Sequence, residues 1–369
     1  MHHHNHFLHL FKNKELDELC LSLALRSFSL SIIGIFVPIF LLQKGYVLKD
    51  IIIYSIILNF THFLSTIPAA KFSSKFRFKH SILVSLPLLI MFYLMLYSID
   101  KWSIYLIAIV YGFNNAFYYT GYHLDFANSS KKESRGKQIG VAKIFSAIFS
   151  AIGPLLGGFL LVQYSFNFVF IVVSFVLLIS VLLLFMTKDK HIPFKINLKD
   201  FEHKTIVKDI AAYFAYGTET GVLSVFWPIF AYSFIKNFTQ LGLLSSLALI
   251  FSMVFVMMIG KWSDFARDKV LKIGALLNTF VWFIGGFANS GFYIFIITSL
   301  KGISTTMIEI PFVAKSYDKA GKNPIEYIVF REMSIQLGRT LFMVLMLFIL
   351  NLTTSFFIAS FSSLAYLLF

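Results

Sequence analysis

Ionisable side chains lie near the middle of long apolar runs in this sequence, and they are the first residues that could do chemistry. Glu219, Lys301 and Arg339 each occupy such a position. A charge at the centre of a lipid-spanning helix costs about 2.5–3.5 kcal/mol, so it normally faces a cavity or an oppositely charged partner. We expect Glu219 to bind and release a proton, as carboxyl groups in membrane interiors often do. The alternative is a structural ion pair with Lys301 or Arg339.

Further polar residues follow a helical spacing around these three. Residues four apart share one face of a helix, and Lys301, Thr305 and Glu309 have this spacing. Similar stripes occur in several other apolar runs. The predicted polar stripes comprise Arg26, Ser29, Tyr111, Asn115, Tyr119, Tyr216, Glu219, Lys301, Thr305, Glu309, Gln336 and Arg339.

The cations of these stripes have two interpretations each. Lys301 and Arg339 suit the binding of an anionic group, and a buried ion pair explains them equally well. Arg26 lies nearer the end of its run, where a long side chain can instead extend its charged head to the membrane surface.

Other titratable residues are expected to be structural. His62 and His123 titrate near physiological pH, but we expect each to be a hydrogen-bonded helix residue. Arg331 and Glu332 are adjacent and predict a local ion pair. The histidines at 2, 3, 4, 6 and 9 do not define a metal site, so no metal is expected.

The composition predicts the setting of these residues. Of the 369 residues, 58% are hydrophobic and only 14% are charged, whereas soluble domains carry about 25% charged residues. An ordinary soluble enzyme is therefore excluded, and an all-α membrane protein is predicted. Apolar runs near the roughly 20 residues that span a bilayer occur at 19–43, 50–70, 81–99, 102–124, 138–162, 166–186, 206–235, 240–260, 270–289, 291–313, 325–350 and 352–369.

Basic residues alternate between the connections that join these twelve runs. The even-numbered connections are rich in Lys and Arg, whereas the odd-numbered ones hold only Lys44, Lys49, Lys101 and Lys236. Because Lys and Arg are retained in cytoplasmic loops, we predict a multi-pass protein of the cell (inner or plasma) membrane with both termini cytoplasmic. This topology also explains the net charge of +14. No nucleic-acid partner is expected, because no soluble face gathers the basic residues.

The sequence matches itself at a constant offset of 190 residues. FVPIF at 36–40 matches FWPIF at 226–230, KFS at 71–73 matches KWS at 261–263, and Gly112 matches Gly302. Such a parallel repeat predicts two six-helix bundles related by a pseudo-two-fold axis along the membrane normal. The expected organisation is a cytoplasmic tail at 1–18, an N-terminal bundle at 19–186, a cytoplasmic linker at 187–205 and a C-terminal bundle at 206–369.

The connection after the eighth run, GKWSDFARDK at 260–269, carries a motif. It resembles the Gly-x-x-x-Asp-x-x-x-(x)-Arg/Lys signature of the major facilitator superfamily, through Gly260, Asp264, Arg267 and Lys269. The resemblance implies that Asp264 contacts a helix N-terminus of the other bundle and holds the cytoplasmic side shut. A carboxylate there is worth about 0.3–1 kcal/mol. The alternative is a turn with solvated charge, and the first-half copy at 70–74 lacks both the glycine and the aspartate.

The fifth run carries a second motif, GPLLGG at 153–158. It resembles the Gly-Pro-x-x-Gly-Gly motif of the antiporter branch of the same superfamily, through Gly153, Pro154, Gly157 and Gly158. That resemblance implies export of a drug or metabolite. Small residues also permit close helix contact, and proline can bend a helix, so simple helix packing is an equally supported interpretation.

The resemblance extends over essentially the whole chain and implies the twelve-helix fold, with runs 1, 4, 7 and 10 lining a central cavity. We expect a secondary transporter that moves a small solute by alternating access, coupled to protons and leaning towards efflux. An organic-anion carrier or facilitator is the second interpretation, and a non-transporting membrane receptor is the third. No enzymatic activity and no cofactor are expected. The expected partners are the solute, protons and the lipid bilayer, and the family implies a monomer.

Overall fold

The structure, a computed structural model, describes residues 14–182, 203–320 and 324–369. Within these ranges the chain forms helices joined by short connections, and it contains no strand. The predicted tail and linker lie outside the described residues, except for residues 14–18 and 203–205. Those residues are helical, so the first and seventh spans begin earlier than predicted.

The first half of the chain forms six spans from its apolar runs. Its first span is α1, a 3-10 turn at Gly34–Phe36 and α2, and each of the other five is a single helix. Ser103 begins the fourth span, since its hydroxyl accepts a hydrogen bond of 3.3 Å from the amide of Tyr105. The helices are α1 (Lys14–Ile33), α2 (Val37–Gln43), α3 (Leu48–Phe76), α4 (Phe78–Tyr97), α5 (Ile104–Ser129), α6 (Arg135–Gln163) and α7 (Phe166–Leu182).

The second half repeats this arrangement with two variations. Its first span contains a π-helical turn at Val222–Phe226, and its second and third spans are joined as one helix that departs from helical geometry at Ala266 (φ −143°, ψ 54°). The helices are α8 (His203–Gly221), α9 (Trp227–Ile235), α10 (Phe238–Gly285), α11 (Gly291–Ala320), α12 (Pro324–Ile349) and α13 (Leu352–Ser363), followed by a 3-10 turn at Leu364–Leu368.

The span count agrees with the sequence. Of the described helical segments, seven are individually long and apolar enough to cross a membrane. The remaining spans are α7, the interrupted α8–α9, the second part of α10, the fourth span α5, and α13 with its terminal turn. The predicted twelve spans are therefore confirmed. Several boundaries agree with the prediction, such as those at Gln43, Ile235 and Gly291, and most of the others differ from it by a few residues.

Equivalent features at the 190-residue offset relate the two bundles. The irregular turns at Gly34–Phe36 and Val222–Phe226 occupy matching positions of the first and seventh spans. A Cβ on Gly112 would lie 2.7 Å from the Cβ of Thr61, and a Cβ on Gly302 would lie 2.6 Å from that of Ser252. Across the bundles, α6 packs along α10 and α3 along α12. These pairs exchange under the pseudo-two-fold axis, so the predicted fold is confirmed.

Both ends of the described chain lie on one membrane face, because the number of spans is even. We term this face the terminal face and the other the opposite face. The α10 segment around Ala266 also lies at the terminal face. That the terminal face is the cytoplasmic one stays a prediction.

Glycines of the fifth span hold it against two neighbours. A Cβ on Gly153 would lie 1.8 Å from the Ser31 hydroxyl, and one on Gly157 would lie 1.7 Å from the Ile32 carbonyl oxygen, both in the first span. A Cβ on Gly158 would lie 2.3 Å from the Phe238 carbonyl oxygen of α10. The close approach of backbones supports the packing interpretation of this motif, and the export role stays a prediction.

Replacing Gly157 is expected to destabilise the fold. Gly157→Ala forces the backbones of α6 and α1 apart, and overpacking of this kind costs about 1–3 kcal/mol. Thermal unfolding of the purified protein in detergent measures the effect as a lower Tm. Gly34→Ala is the matched control, since a Cβ there meets nothing within 4 Å. Equal Tm values for the two variants would contradict this interpretation of the motif.

Candidate functional site

A cavity of about 920 Å³ lies between the two bundles. It extends from Leu41 and Ile51, towards the opposite face, to Tyr317 and Arg331, towards the terminal face. Both bundles contribute to its wall. Much of the wall is aromatic, through Tyr54, Phe92, Tyr93, Tyr111, Tyr119 and Tyr216. A cavity of this volume, largely apolar with a few polar groups, is typical of a site for a small organic molecule.

Most of the residues of the predicted polar stripes lie on this wall. They come from α5 in the first bundle and from α8, α11 and α12 in the second. The structure thus brings together side chains far apart in the sequence. The predicted residues on the wall are Tyr111, Asn115, Tyr119, Tyr216, Lys301, Thr305, Glu309, Gln336 and Arg339.

Arg26, Ser29 and Glu219 lie behind the wall. The Arg26 guanidinium donates a 3.1 Å hydrogen bond to Asn114 and lies 3.6 Å from the centre of the Tyr118 ring. It is 5% exposed and therefore does not extend to the membrane surface. Ser29 donates to the carbonyl of Leu25 within its own helix, at 2.9 Å. Position on a helical stripe therefore did not determine which side of α1 faces the cavity.

Glu219 is the centre of a buried polar network inside the second bundle. Lys301 donates a charge-assisted hydrogen bond to its carboxylate. Thr305 and Tyr366 donate to it at 3.1 Å, and Asn278 donates at 3.2 Å. The carboxylate therefore has donors from three helical segments: α10, α11 and the turn after α13. The ion pair that was the alternative interpretation of Glu219 is present, and Lys301 connects it to the cavity wall.

Arg339 lies on the wall with neutral partners. Its guanidinium donates to the Thr220 hydroxyl at 2.6 and 3.1 Å and to Asn59 of the other bundle at 3.4 Å. Among the described residues, no carboxylate lies within ion-pair distance of it. One turn away, the Gln336 side-chain oxygen is buried and has no hydrogen-bond partner in the described part of the chain. Arg339 is therefore a cation on the wall that has no carboxylate within ion-pair distance among the described residues.

Asp264 joins the two bundles at the terminal face. Its carboxylate accepts hydrogen bonds from the backbone amides of Gly136 (2.8 Å) and Lys137 (2.9 Å), in the first turn of α6. A Cβ on Gly136 would lie 2.5 Å from this carboxylate. Gly260 lies at the same crossing, where an added Cβ would be 3.4 Å from the Gly136 carbonyl oxygen and 3.5 Å from the Gly140 Cα, which is ordinary van der Waals contact. The negative charge meets the positive end of the α6 dipole.

A second junction surrounds Asp318 at the same face. Arg135 of α6 and Arg267 of α10 both form ion pairs with its carboxylate. Arg267 also lies 3.9 Å from Asp264, so the motif aspartate and arginine belong to one charged network. Lys269 of the motif is exposed. This network connects α6, α10 and α11 across the bundles, and sequence reasoning missed Arg135 and Asp318.

Three further cross-bundle contacts lie beside the cavity, towards the terminal face. Lys143 of α6 forms an ion pair with Glu309 of α11. His123 Nδ1 lies 2.6 Å from the Tyr317 hydroxyl, and its Nε2 lies 3.5 Å from Glu332. The sequence-based expectation for His123 named no partner in the other bundle. Local spacing carries no signal for such contacts, because their partners lie more than 160 residues away in the sequence.

The terminal face also contains ion pairs within one bundle. Lys315 donates a 2.8 Å hydrogen bond to Asp268. This contact, outside the lipid-spanning segments, holds the pKa of the Asp268 carboxyl below its usual range. In the described residues, no group of three His, Cys, Asp or Glu side chains is arranged to hold a metal ion.

Comparisons with known proteins agree with this architecture. Residues 19–208 match the sequence model of the Major Facilitator Superfamily. An uncharacterized transporter of this superfamily type from Bacillus subtilis, YuxJ, is 44% identical over 62 residues, a match that spans only 16% of either chain.

Solved structures show the same fold over almost the whole length. The fucose:proton symporter FucP of E. coli superposes with a TM-score of 0.70 at 16% identity, over 95% of this chain and 96% of FucP. The human organic anion transporter MFSD10 superposes with a TM-score of 0.72 at 11% identity, over 96% of this chain and 98% of MFSD10. With the family match over half of the chain, these observations show that the protein belongs to the Major Facilitator Superfamily and is a multi-pass membrane transporter.

Proposed function

We propose that this transporter carries a small organic anion by alternating access. The observation that carries the proposal is Arg339, a cation on the cavity wall with no carboxylate partner among the described residues. A charge removed from water requires a counter-charge. An anionic solute in the cavity would supply it, and the guanidinium can hold a carboxylate through two parallel hydrogen bonds.

The balance of buried charges supports the same conclusion. Three of the five cations in the membrane interior have carboxylate partners: Lys301 with Glu219, Lys143 with Glu309, and Arg331 with Glu332. In the described part of the chain, Arg26 and Arg339 have none. Of these two unpaired cations, only Arg339 lies on the cavity wall. The aromatic wall suits the carbon skeleton of an organic solute.

The positions of the cross-bundle contacts support alternating access. Asp264, Asp318 and His123 join the bundles at or towards the terminal face through polar contacts, which can break and re-form. Opening this face requires Asp264 to leave the α6 amides. We propose that this contact is the gate expected from the motif, and that its release opens the cavity to the terminal face.

The proton gradient is the proposed energy source, and Glu219 stays the proposed binding site of the coupled proton. Lys301 lies between Glu219 and the cavity, so an anion that attracts Lys301 weakens its pairing with Glu219. The carboxylate then accepts a proton in place of the lysine. If anion and proton bind together in this way, proton entry would drive uptake of the anion. Efflux, the direction expected from the fifth-span motif, stays a prediction and would require the anion and the proton to bind alternately.

Removing the Arg339 charge is expected to weaken anion binding selectively. Arg339→Gln loses a charged hydrogen bond worth about 1.5–3 kcal/mol, which corresponds to roughly a tenfold to hundredfold loss of affinity. A panel of organic acids with their amide and amine analogues, screened by thermal shift of the purified protein, measures this. Arg26→Gln is the matched control, since it removes the same charge from behind the wall. Binding of amines rather than acids would refute the anion proposal.

Neutralising Glu219 is expected to uncouple transport. Glu219→Gln should abolish accumulation driven by a pH gradient in liposomes while solute exchange continues, because the proton site is lost and the cavity remains. The double variant Glu219→Gln/Lys301→Met serves as control: if the pair is only structural, neutralising both partners restores gradient-driven accumulation. Unchanged accumulation in the single variant would remove Glu219 from the coupling mechanism.

Weakening the Asp264 contact is expected to open the terminal face. Asp264→Asn loses the charge at the α6 N-terminus, worth about 0.3–1 kcal/mol, and should raise the labelling rate of Val313→Cys by a membrane-impermeant maleimide added at that face. Each of these variants also carries Cys20→Ala, which removes the one native cysteine. Asp268→Asn is the matched control, since Asp268 pairs with Lys315 within one bundle. Equal labelling rates in both variants would contradict the gate.

A further inference from the structure

We propose that His123 and Glu332 form a proton-binding site shared by the two bundles, with His62 as a second imidazole, and that protonation there favours closure of the terminal face. The inference rests on the alternating access proposed above and adds what controls it. It assigns a role to three titratable residues that the anion site, the Glu219 network and the Asp264 contact do not use.

The geometry places two imidazoles of one bundle against one carboxylate of the other. His123 of α5 lies 3.5 Å from Glu332 of α12, and His62 of α3 lies 4.0 Å from the other oxygen of the same carboxylate. The carboxylate also accepts from its neighbour Arg331. A second contact, from His123 to the Tyr317 hydroxyl at 2.6 Å, joins α5 to α11. Every one of the histidine contacts to Glu332 and Tyr317 crosses between bundles.

His62 has an unusual environment for a buried imidazole. Its side chain is 1% exposed, and neither ring nitrogen has a hydrogen-bond partner among the described residues. Buried polar groups are normally hydrogen-bonded, so this exception needs a specific explanation, which the proposed proton site supplies. A protonated imidazole beside Glu332 would satisfy one of these nitrogens through the ion pair.

Charged and titratable groups surround the site on every packed element. Arg331 contributes a positive charge and Glu332 a negative one, so the pair is close to neutral before any imidazole is protonated. The other groups that face the site are Tyr119 and Tyr122 of α5, Tyr317 of α11, Arg339 of α12 and Arg135 of α6, the last lying over the Tyr317 ring.

The duplicated architecture shows that packing does not require these residues. Ser252 and Val313 lie 190 residues after His62 and His123, and Ala142 lies 190 residues before Glu332. All three counterparts line the same cavity. The fold thus accommodates small or apolar side chains at the equivalent places, and only one side of the pseudo-two-fold axis carries the titratable cluster.

The cavity gives protons access to the site, since His123 and Glu332 both lie on its wall. Protonation of His123 places a positive charge beside a carboxylate of the other bundle and so strengthens the attraction between bundles at that end. Acidic conditions should therefore favour the closed terminal face. By linkage, closing that face increases the proton affinity of the site, and opening it decreases that affinity.

Distance measurements between the bundles test the proposal without any solute. Spin labels at Lys75→Cys and Lys272→Cys, exposed positions on different bundles, report the width of the terminal face in a Cys20→Ala background in lipid nanodiscs. We expect the ratio of short to long distances to rise several-fold as the pH is lowered from about 8 to about 4.

Substitutions identify the responsible groups. His123→Gln should make the ratio independent of pH, and His62→Gln should reduce its change. Glu332→Gln should also abolish the response; because it leaves Arg331 without its partner and can impair folding, the histidine variants decide the question. His80→Gln, an exposed histidine outside the cluster, is the matched control and should respond as the parent protein does.

Three results would overturn the inference: distances that ignore pH in the parent protein, a pH response that survives in His123→Gln, or opening of the terminal face in acid. Solute binding and transport are assayed separately. A protein that shows the pH response but moves no organic anion would refute the proposed function alone, whereas anion transport with pH-independent distances would refute the proton site alone.

Discussion

A charge withdrawn from water must be compensated within the protein, and this requirement organises the membrane interior of the chain. Two arrangements meet it. The Glu219–Lys301 pair lies inside one bundle, where it can persist while the bundles move. The Lys143–Glu309 pair and the Asp264 contact cross between bundles and would have to break in the proposed opening of the terminal face. The charges thus fall into pairs within one bundle and pairs between the bundles.

The sequence predicted the fold well because lipid imposes simple rules on it. Apolar runs give the spans, the distribution of Lys and Arg gives the expected orientation, and the 190-residue offset gives the two bundles. Boundaries were less accurate, since helices such as α3 and α11 continue past the apolar run into polar residues at the membrane surface. Hydropathy registers where lipid ends, whereas backbone hydrogen bonding continues for another turn or two.

The site was predictable in part. Helical spacing identified residues that line the cavity, such as Thr305 and Arg339, but a stripe does not give the rotation of a helix about its own axis. Arg26 and Glu219 consequently point behind the wall. The cross-bundle partners of Asp318 and Glu332 could not be inferred, because these carboxylates contact side chains that are distant in the sequence. Asp264 was the exception, since its motif implied a partner in the other half.

The seam between α6 and α10 closes one flank of the molecule along its full length. Near the opposite face the Phe238 backbone abuts Gly158, further down the Pro154 carbonyl oxygen approaches Gly242, and near the terminal face Gly140 meets Gly260. Main chains this close leave no gap through which a molecule dissolved among acyl chains could slip sideways. A solute on the proposed path could therefore not enter the cavity sideways through this flank and would have to enter from one of the two membrane faces.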